Sequence, residues 1–167
     1  MTANTEADFD ALFQRGYPSL VRALTAMCGD RELAADCVQE AFCKAYARWR
    51  KISRYEQPLA WVRHVAVNQL RDDVRRRERA NRHAPKLVGD ATMESTEPAE
   101  FDLASTLAAL PTQQRIAAAL YYVEQLSVGE IAEAMGLSSG AIKFHLHAAR
   151  EQLRGTLAAH DPSRDVG

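Results

Sequence analysis

The sequence predicts an all-α protein made of two helical domains joined by a flexible acidic linker. Three observations support this fold class: apolar residues recur every three or four positions in several segments, no segment alternates like a strand, and one stretch lacks periodicity. The 167 residues are 47% hydrophobic and 26% charged, a composition typical of soluble globular proteins. That length fits one medium domain or two small ones, and the aperiodic stretch favours two.

Three helices are expected in the first domain. Residues 9–27 carry an apolar stripe with helical spacing, and Asp30 is a suitable N-cap for a second stripe over residues 33–49. The polar segment 51–57 is expected to be a loop. Pro58 is acceptable at the first position of a helix, so it opens a third one.

The aperiodic stretch begins near residue 83 and contains prolines, a glycine and several acids. Such a composition cannot bury enough apolar surface to order itself. The predicted organisation is therefore a first domain over residues 1–86, a linker over 87–102 and a second domain over 103–160. Because the linker is long and polar, we expect the two domains to move relative to each other in solution.

Charge is unevenly distributed, although the formal net charge of the whole chain is only −1. Residues 44–86 hold thirteen basic and four acidic side chains, a net charge of +9, and residues 87–106 hold five acidic side chains and no basic one. A polyanion responds to such a local field rather than to the sum over the chain. Weak net charge therefore does not exclude nucleic acid as a partner.

The second domain contains the pattern of a helix-turn-helix. Ser127 and Glu130 form a capping box that starts one helix, Gly136 can end it with a positive φ, and Ile142 supplies the apolar contact of the next helix. The N-terminal residues of that second helix would enter the major groove. The candidate DNA contacts are Ser139, Gly140, Lys143, Phe144 and His147, with Arg150 placed for phosphate. A plain helical hairpin is the alternative interpretation.

The third helix has a basic face opposite its apolar stripe. Basic side chains beside aromatic rings can hold a phosphate backbone while the rings stack on unpaired bases. Donors and a ring in the preceding loop could surround an extruded base. The residues of the face are His64, Asn68, Arg71, Arg75, Arg79 and Arg82 with Trp61 at its edge, and those of the loop are Lys51, Ser53, Arg54 and Tyr55. The alternative is a solvated basic face.

A third candidate surface lies on the second helix. Asp36, Gln39 and Glu40 share the side opposite its apolar stripe and suit a basic partner. Ordinary solvent-facing residues are the alternative interpretation.

The cysteines and the N-terminus point to a cytoplasmic protein without a cofactor. Cys28, Cys37 and Cys43 match no metal or redox spacing, so we expect reduced, buried thiols and no metal site. No apolar run approaches the ~20 residues that cross a bilayer, and the N-terminus is not that of a signal peptide.

These motifs together resemble the extracytoplasmic-function (ECF) family of bacterial RNA polymerase sigma factors. Residues 34–42 (AADCVQEAF) look like the family's region two motif, and residues 61–68 (WVRHVAVN) are similar to the next motif of that region. Leu110, Pro111, Arg115 and residues 126–150 resemble region four. The resemblance covers nearly the whole chain in the expected order.

The resemblance implies a role in transcription initiation without catalysis by this chain. In this family region two binds the β′ clamp of core RNA polymerase, which assigns Asp36, Gln39 and Glu40 to a protein interface. The third helix and its preceding loop would recognise and melt the promoter's minus-ten element. The helix-turn-helix would read the minus-thirty-five element as duplex near the β flap, and the linker would run toward the RNA exit path. An anti-sigma factor is a further expected partner.

The recognition helix departs from the family pattern. Where the family commonly has a threonine, a serine and two arginines, this chain has Ala141, Phe144, His145 and Ala148. Each missing arginine removes a phosphate or guanine contact, the latter worth ~1–3 kcal/mol of discrimination when it is bidentate. Phe144 is expected either to touch a thymine methyl or to pack inside the domain.

Two alternatives from other classes stay open. One is a free-standing helix-turn-helix regulator, although no dimer seam follows residue 157. The other is a helical antagonist that binds polymerase through Asp36, Gln39 and Glu40 without productive promoter recognition. An enzyme is not expected, because no nucleophile with a base, glycine-rich phosphate loop or metal-ligand run is present.

Overall fold

The computed structural model describes residues 3–83 and 103–159, and all regular structure in these ranges is helical. The helices are α1 (Ala3–Cys28), α2 (Arg31–Ala47), α3 (Trp49–Ile52), α4 (Pro58–His83), α5 (Leu103–Ala108), α6 (Thr112–Tyr122), α7 (Val128–Met135) and α8 (Ser139–Ala159). The all-α prediction is confirmed. One detail of the loop prediction is wrong, because Lys51 lies in the helical turn α3 rather than in a loop.

Helices α1 to α4 form lobe one, in which α2 packs between α1 and α4. Asp30 caps α2 as predicted: its side chain accepts a hydrogen bond from the Leu33 N–H at 3.0 Å. Leu24, Val38 and Leu70 are fully buried between the three helices, and burying each such side chain stabilises the fold by about 1.5–3 kcal/mol. This core presents the polar sides of α2 and α4 outward.

Close approach of helices in lobe one depends on Gly16 of α1. A Cβ atom at this position would collide with the side chain of Leu59, at the start of α4, and would crowd the ring of Phe42. Six aromatic side chains pack around this contact, and they are Phe9, Phe13, Tyr17, Phe42, Tyr46 and Trp49. This aromatic cluster packs α1 against α2 beside the start of α4.

Helices α5 to α8 form lobe two, which contains the predicted helix-turn-helix. Ser127 and Glu130 form the reciprocal capping box of α7, and Gly136 ends that helix with φ 64°. Ser138 caps α8 by accepting from the Ala141 N–H at 3.1 Å. Ile142 is fully buried against the rest of the lobe, so these local predictions are confirmed.

The two lobes are in contact. α5 and α6 pack against α1, α7 packs against α4, and the apolar core continues from one lobe to the other along α1. The linker at residues 87–102 lies outside the described residues, and independent movement of the lobes stays a prediction. The arrangement of the lobes nevertheless decides which candidate surfaces are open.

The three cysteines are free thiols. Cys37 is buried and its thiol donates to Asp73 at 3.6 Å; burial first, and then the Asp73 charge, raise the pKa of this thiol to about 12. Cys43 is exposed, so the prediction of a buried side chain is wrong there, because position 43 lies on the polar side of α2. Among the described residues, no helix combines the length and hydrophobicity required to cross a membrane.

Candidate nucleic-acid interface

The basic face of α4, which we call the α4 face, comprises His64, Asn68, Arg71 and Arg75. Its position follows from the opposite side of the helix, where Val62, Ala66 and Leu70 are fully buried in lobe one. The part of the α4 face that contains His64 and Arg71 meets the C-terminal end of α7 in lobe two. Three of the four residues are therefore half-buried, and only Arg75 is exposed.

Lobe two supplies hydrogen-bond acceptors to the α4 face. His64 Nδ1 lies 3.1 Å from the Glu133 carbonyl oxygen, and Arg71 Nη1 donates to the Met135 carbonyl oxygen at 2.5 Å. Because a carbonyl only accepts, His64 Nδ1 is the donor, and its Nε2 accepts from Asn68 Nδ2 at 2.9 Å. Both carbonyls lie in the last turn of α7, where the helix dipole places partial negative charge.

Arg71 is held in a restrictive environment. Burial lowers the pKa of its guanidinium, and the neighbouring Arg75 charge acts in the same direction. Its Nε is buried and has no hydrogen-bond partner. Arginine stays charged under these conditions, so this half-buried cation uses only part of its hydrogen-bonding capacity.

An ion pair that sequence reasoning missed joins the lobes beside the α4 face. Arg63 Nε lies 3.4 Å from Glu124 Oε2, and the two side chains are 12% and 3% exposed. The Ser19 hydroxyl of α1 donates to the other Glu124 oxygen. Glu124 follows α6, so one carboxylate of lobe two is bound by two helices of lobe one.

The candidate pocket for an extruded base lies between the lobes. Tyr55, Trp61 and His64 line a cavity of about 470 Å³ whose opposite wall is formed by Glu130 and Glu133 of α7. The remaining candidates, Lys51 of α3 and Ser53 and Arg54 of the following loop, are exposed. The structure thus brings the predicted rings together, and lobe two closes one side of the cavity.

The start of α8 is open to solvent. The candidate contacts Ser139, Gly140, Lys143, Phe144, His147 and Arg150 are all exposed. Phe144 is 66% exposed, and its ring meets the neighbouring His145 ring edge-on with 5.7 Å between centroids. The alternative in which Phe144 packs inside the domain is therefore wrong, because position 144 points away from the lobe two core.

A second cavity, of about 360 Å³, separates the start of α8 from the C-terminal part of the α4 face. Phe144 and His145 line it from lobe two, and Arg71, Arg75 and Glu78 line it from lobe one. Two residues that line this cavity are hydrogen-bonded to each other, since the Thr112 hydroxyl donates to the Glu78 carboxylate at 2.9 Å. The two predicted DNA-binding surfaces consequently face each other across this cavity.

The acidic side of α2, which we call the α2 face, comprises Asp36, Gln39 and Glu40. All three side chains are exposed. Glu40 forms a surface ion pair with Lys44 at 2.7 Å, an interaction worth little in water. Residues 3–83 and 103–159 contain no cluster of His, Cys, Asp and Glu that could hold a metal ion.

Comparison with known proteins assigns both lobes. Residues 12–80 match the family model of sigma-70 region 2, and residues 100–153 match that of sigma-70 region 4. The RNA polymerase sigma-E factor of Streptomyces coelicolor is 30% identical over 158 residues, an alignment that covers 92% of this chain and 88% of the relative. The chain belongs to the ECF family of RNA polymerase sigma factors. Sigma factors are transcription initiation factors that bind core polymerase and promoter DNA, and they are not enzymes.

Further relatives agree with this membership. ECF RNA polymerase sigma factor SigL of Mycobacterium tuberculosis is 30% identical over 155 residues, covering 88% of this sigma factor and 87% of the relative. ECF RNA polymerase sigma factor SigE of Mycolicibacterium smegmatis is 28% identical, and this chain spans 62% of its length.

Solved structures show the same fold. Sigma factor RpoE of Bartonella quintana, in complex with the anti-sigma factor NepR, superposes with a TM-score of 0.76 at 22% identity, covering 92% of this sigma factor and 98% of RpoE. CnrH, in complex with the cytosolic domain of CnrY, has a TM-score of 0.64 at 24% identity, with 93% and 91% covered.

Proposed function

We propose that this sigma factor divides its work among the three surfaces described above. The α2 face binds core polymerase, the α4 face with its preceding loop opens the minus-ten element, and the start of α8 reads the minus-thirty-five element. The observation that supports this division best is the match to regions 2 and 4 in chain order. The corresponding domains are residues 1–86 and 103–160, with a linker over 87–102.

The α2 face has the properties of a preformed docking surface. Its side chains are exposed on a helix whose other side, including Val38 and Ala41, is buried in lobe one. The surface is therefore rigid, and two carboxylates and an amide present acceptors to a basic partner. We propose the β′ clamp of core polymerase as that partner, with the β flap contacting lobe two.

The α4 face and the loop before it suit a melted strand. Asn68, Arg71 and Arg75 can hold phosphate and base edges, and the Tyr55 and Trp61 rings beside the 470 Å³ cavity can stack on unpaired bases. Lys51, Ser53 and Arg54 add exposed donors in the segment that precedes α4. We propose that an extruded base stacks on these rings once lobe two moves away and uncovers them.

The start of α8 suits binding to duplex DNA, although its residues differ from those common in the family. Lys143 and Arg150 supply two cations for phosphate, and Ala141 and Ala148 supply none. The exposed Phe144 ring can cover a thymine methyl in the major groove. We propose that apolar contact replaces part of the arginine readout at the minus-thirty-five element.

The remaining assignments follow from the same function. RpoE was solved in complex with the anti-sigma factor NepR, and CnrH was solved in complex with the cytosolic domain of CnrY. We propose that an anti-sigma factor also binds this chain and that it acts in the cytoplasm, where polymerase is found. The chain contributes no catalytic residue, since RNA synthesis belongs to the polymerase.

Reconstitution with bacterial core RNA polymerase on a library of promoter fragments tests the proposal. Bound complexes and new RNA start sites are recorded together. Specific starts are expected, and the selected fragments define the promoter sequence. Binding without starts would support an antagonist, and failure to bind polymerase would support a free-standing DNA-binding regulator.

A further inference from the structure

The α4 face and its flank form a row of donors that lobe two occupies. Arg63, His64 and Arg71 lie on one side of two turns of α4, and each finds an oxygen atom of lobe two at 3.4, 3.1 and 2.5 Å. Two of these three residues are the ones assigned above to minus-ten DNA. The same side chains cannot bind these oxygens and DNA phosphates at once.

The acceptors resemble phosphate in chemistry. Glu124 supplies a carboxylate, and the final turn of α7 supplies carbonyl oxygens with the partial negative charge of a helix C-terminus. Arginine and histidine donors bind such oxygens as they bind phosphate oxygens. Lobe two therefore presents to α4 a small acidic surface that occupies the place of a nucleic-acid backbone.

We call the arrangement in which the two lobes are in contact the closed arrangement. Because it is buried, the Arg63–Glu124 ion pair is the main polar interaction that holds this arrangement. The Glu124 carboxylate is 3% exposed and is bonded to Arg63 and Ser19 from two helices of lobe one. Replacing one charged partner leaves the other charge buried and uncompensated, which is much costlier than losing an exposed pair. Changing Glu124 should therefore shift the equilibrium between closed and open lobes more than changing a surface carboxylate.

The rest of the inter-lobe interface is imperfectly packed. Cavities of about 470 and 360 Å³ flank the band of direct contact. Beside the smaller cavity, buried polar atoms of Arg71, Gln113, Gln114 and His145 have no hydrogen-bond partner. Each unsatisfied buried group carries a desolvation penalty that opening removes. These penalties offset part of the stabilisation by the ion pair. Another ligand that binds the same donors of α4 can therefore displace lobe two.

We propose that the closed arrangement is an autoinhibited state, in which lobe two competes with promoter DNA for Arg63, His64 and Arg71. The proposal rests on the assignment of the α4 face to DNA and adds Arg63 to that surface. The α2 face stays open in this state. Polymerase can consequently bind the closed protein first, and DNA can then displace lobe two.

The test compares Glu124→Lys with Glu151→Lys in the full chain. Glu151 also lies in lobe two, but it pairs with Arg154 on the surface, with side chains 54% and 75% exposed. Both variants change the charge by the same amount. The DNA probe is a forked duplex that carries the promoter sequence selected in the reconstitution described above. Its binding is measured by fluorescence anisotropy and the compactness of the protein by small-angle scattering, both without polymerase.

Glu124→Lys is expected to expand the protein and tighten DNA binding by roughly 5-fold or more relative to Glu151→Lys, the lower range of typical coupling between sites. Equal affinity of the two variants would overturn the proposal, as would expansion without tighter binding. Glu124→Gln, which preserves shape, should give a smaller change in the same direction and covers the case in which Glu124→Lys fails to fold.

Arg71→Ala in the Glu124→Lys background separates this proposal from the function on which it rests. Loss of the gained affinity is expected if the uncovered α4 face binds the DNA. A gain that survives would overturn the competition for Arg71. Specific transcription starts by the same protein with core polymerase would show that the proposed function stands even if autoinhibition fails.

Discussion

The α2 and α4 faces belong to the same lobe, yet the structure treats them differently. The three polar residues of the α2 face are exposed, whereas three of the four residues of the α4 face are half-buried and two of them, His64 and Arg71, contact carbonyl oxygens of α7. Both are polar sides of amphipathic helices on one core. Whether such a side is available for binding is therefore a property of the neighbouring lobe rather than of the helix that carries it.

The largest effect is expected at the open face. Replacing Asp36, Gln39 and Glu40 together by Ala should weaken core polymerase binding by about 2 kcal/mol or more, the level of an interface hot spot. Circular dichroism and the scattering profile should not change, because the three side chains are exposed on the surface of lobe one. Equilibrium titration of labelled protein with core polymerase measures the loss, and unchanged affinity would remove these residues from the interface.

The covered face should respond to paired changes across the interface. Arg63→Glu and Glu124→Lys should each expand the protein, whereas the double variant restores an ion pair of reversed polarity and should be compact again. Contacting residues typically couple by about 0.5–3 kcal/mol, and a denaturant-unfolding cycle of the four proteins measures this energy. A double variant that is as expanded as the single variants would show that the pair does not hold the lobes.

A smaller effect is expected at Phe144, which is uncovered like the α2 face but belongs to lobe two. Substituting uracil for thymine in the duplex removes only the C5 methyl, whose burial is worth ~0.8 kcal/mol. The wild-type protein should lose about that much binding free energy when uracil replaces thymine. The Phe144→Ser variant should bind thymine and uracil DNA equally well. Equal losses for both proteins would exclude Phe144 from methyl recognition.

The smallest effect concerns the N-cap that holds the helix of the α2 face. Hydrogen bonds from the Leu33 N–H and then from Arg77 lower the pKa of Asp30. A carboxyl group with a lowered folded-state pKa contributes stability above its unfolded-state value, near 3.9, and loses it as the pH falls through the folded-state value.

Asp30→Asn should therefore cost a few tenths of a kcal/mol at pH 6, since Asn is also a good N-cap, and its difference from wild type should shrink in acid. Urea unfolding at pH 6 and pH 3 measures both values. A difference that grows in acid would contradict the sign of this contribution. Asp30→Ala serves as the control that removes the cap at both pH values.

Local features of the fold were readable in the sequence because they depend on neighbours three or four residues apart. The Asp30 cap, the helix start at Pro58, the Ser127–Glu130 capping box and the positive φ of Gly136 all have this range. The helical periodicity also separated the apolar and polar sides of α2 and α4 correctly. Errors arose at Lys51, where a short helical turn replaces the expected loop, and at Cys43, which is exposed.

By itself, the sequence determined the helices, their polar faces and the family to which their order belongs. Only the tertiary structure decided that Arg63 meets Glu124 across 61 residues and that Ser19 reaches the same carboxylate across 105. It also decided that His64 and Arg71 face carbonyl oxygens of α7 and that Phe144 stays exposed. The physical reason is that periodicity specifies which side of a helix is polar, whereas the docking of two lobes specifies what that side contacts.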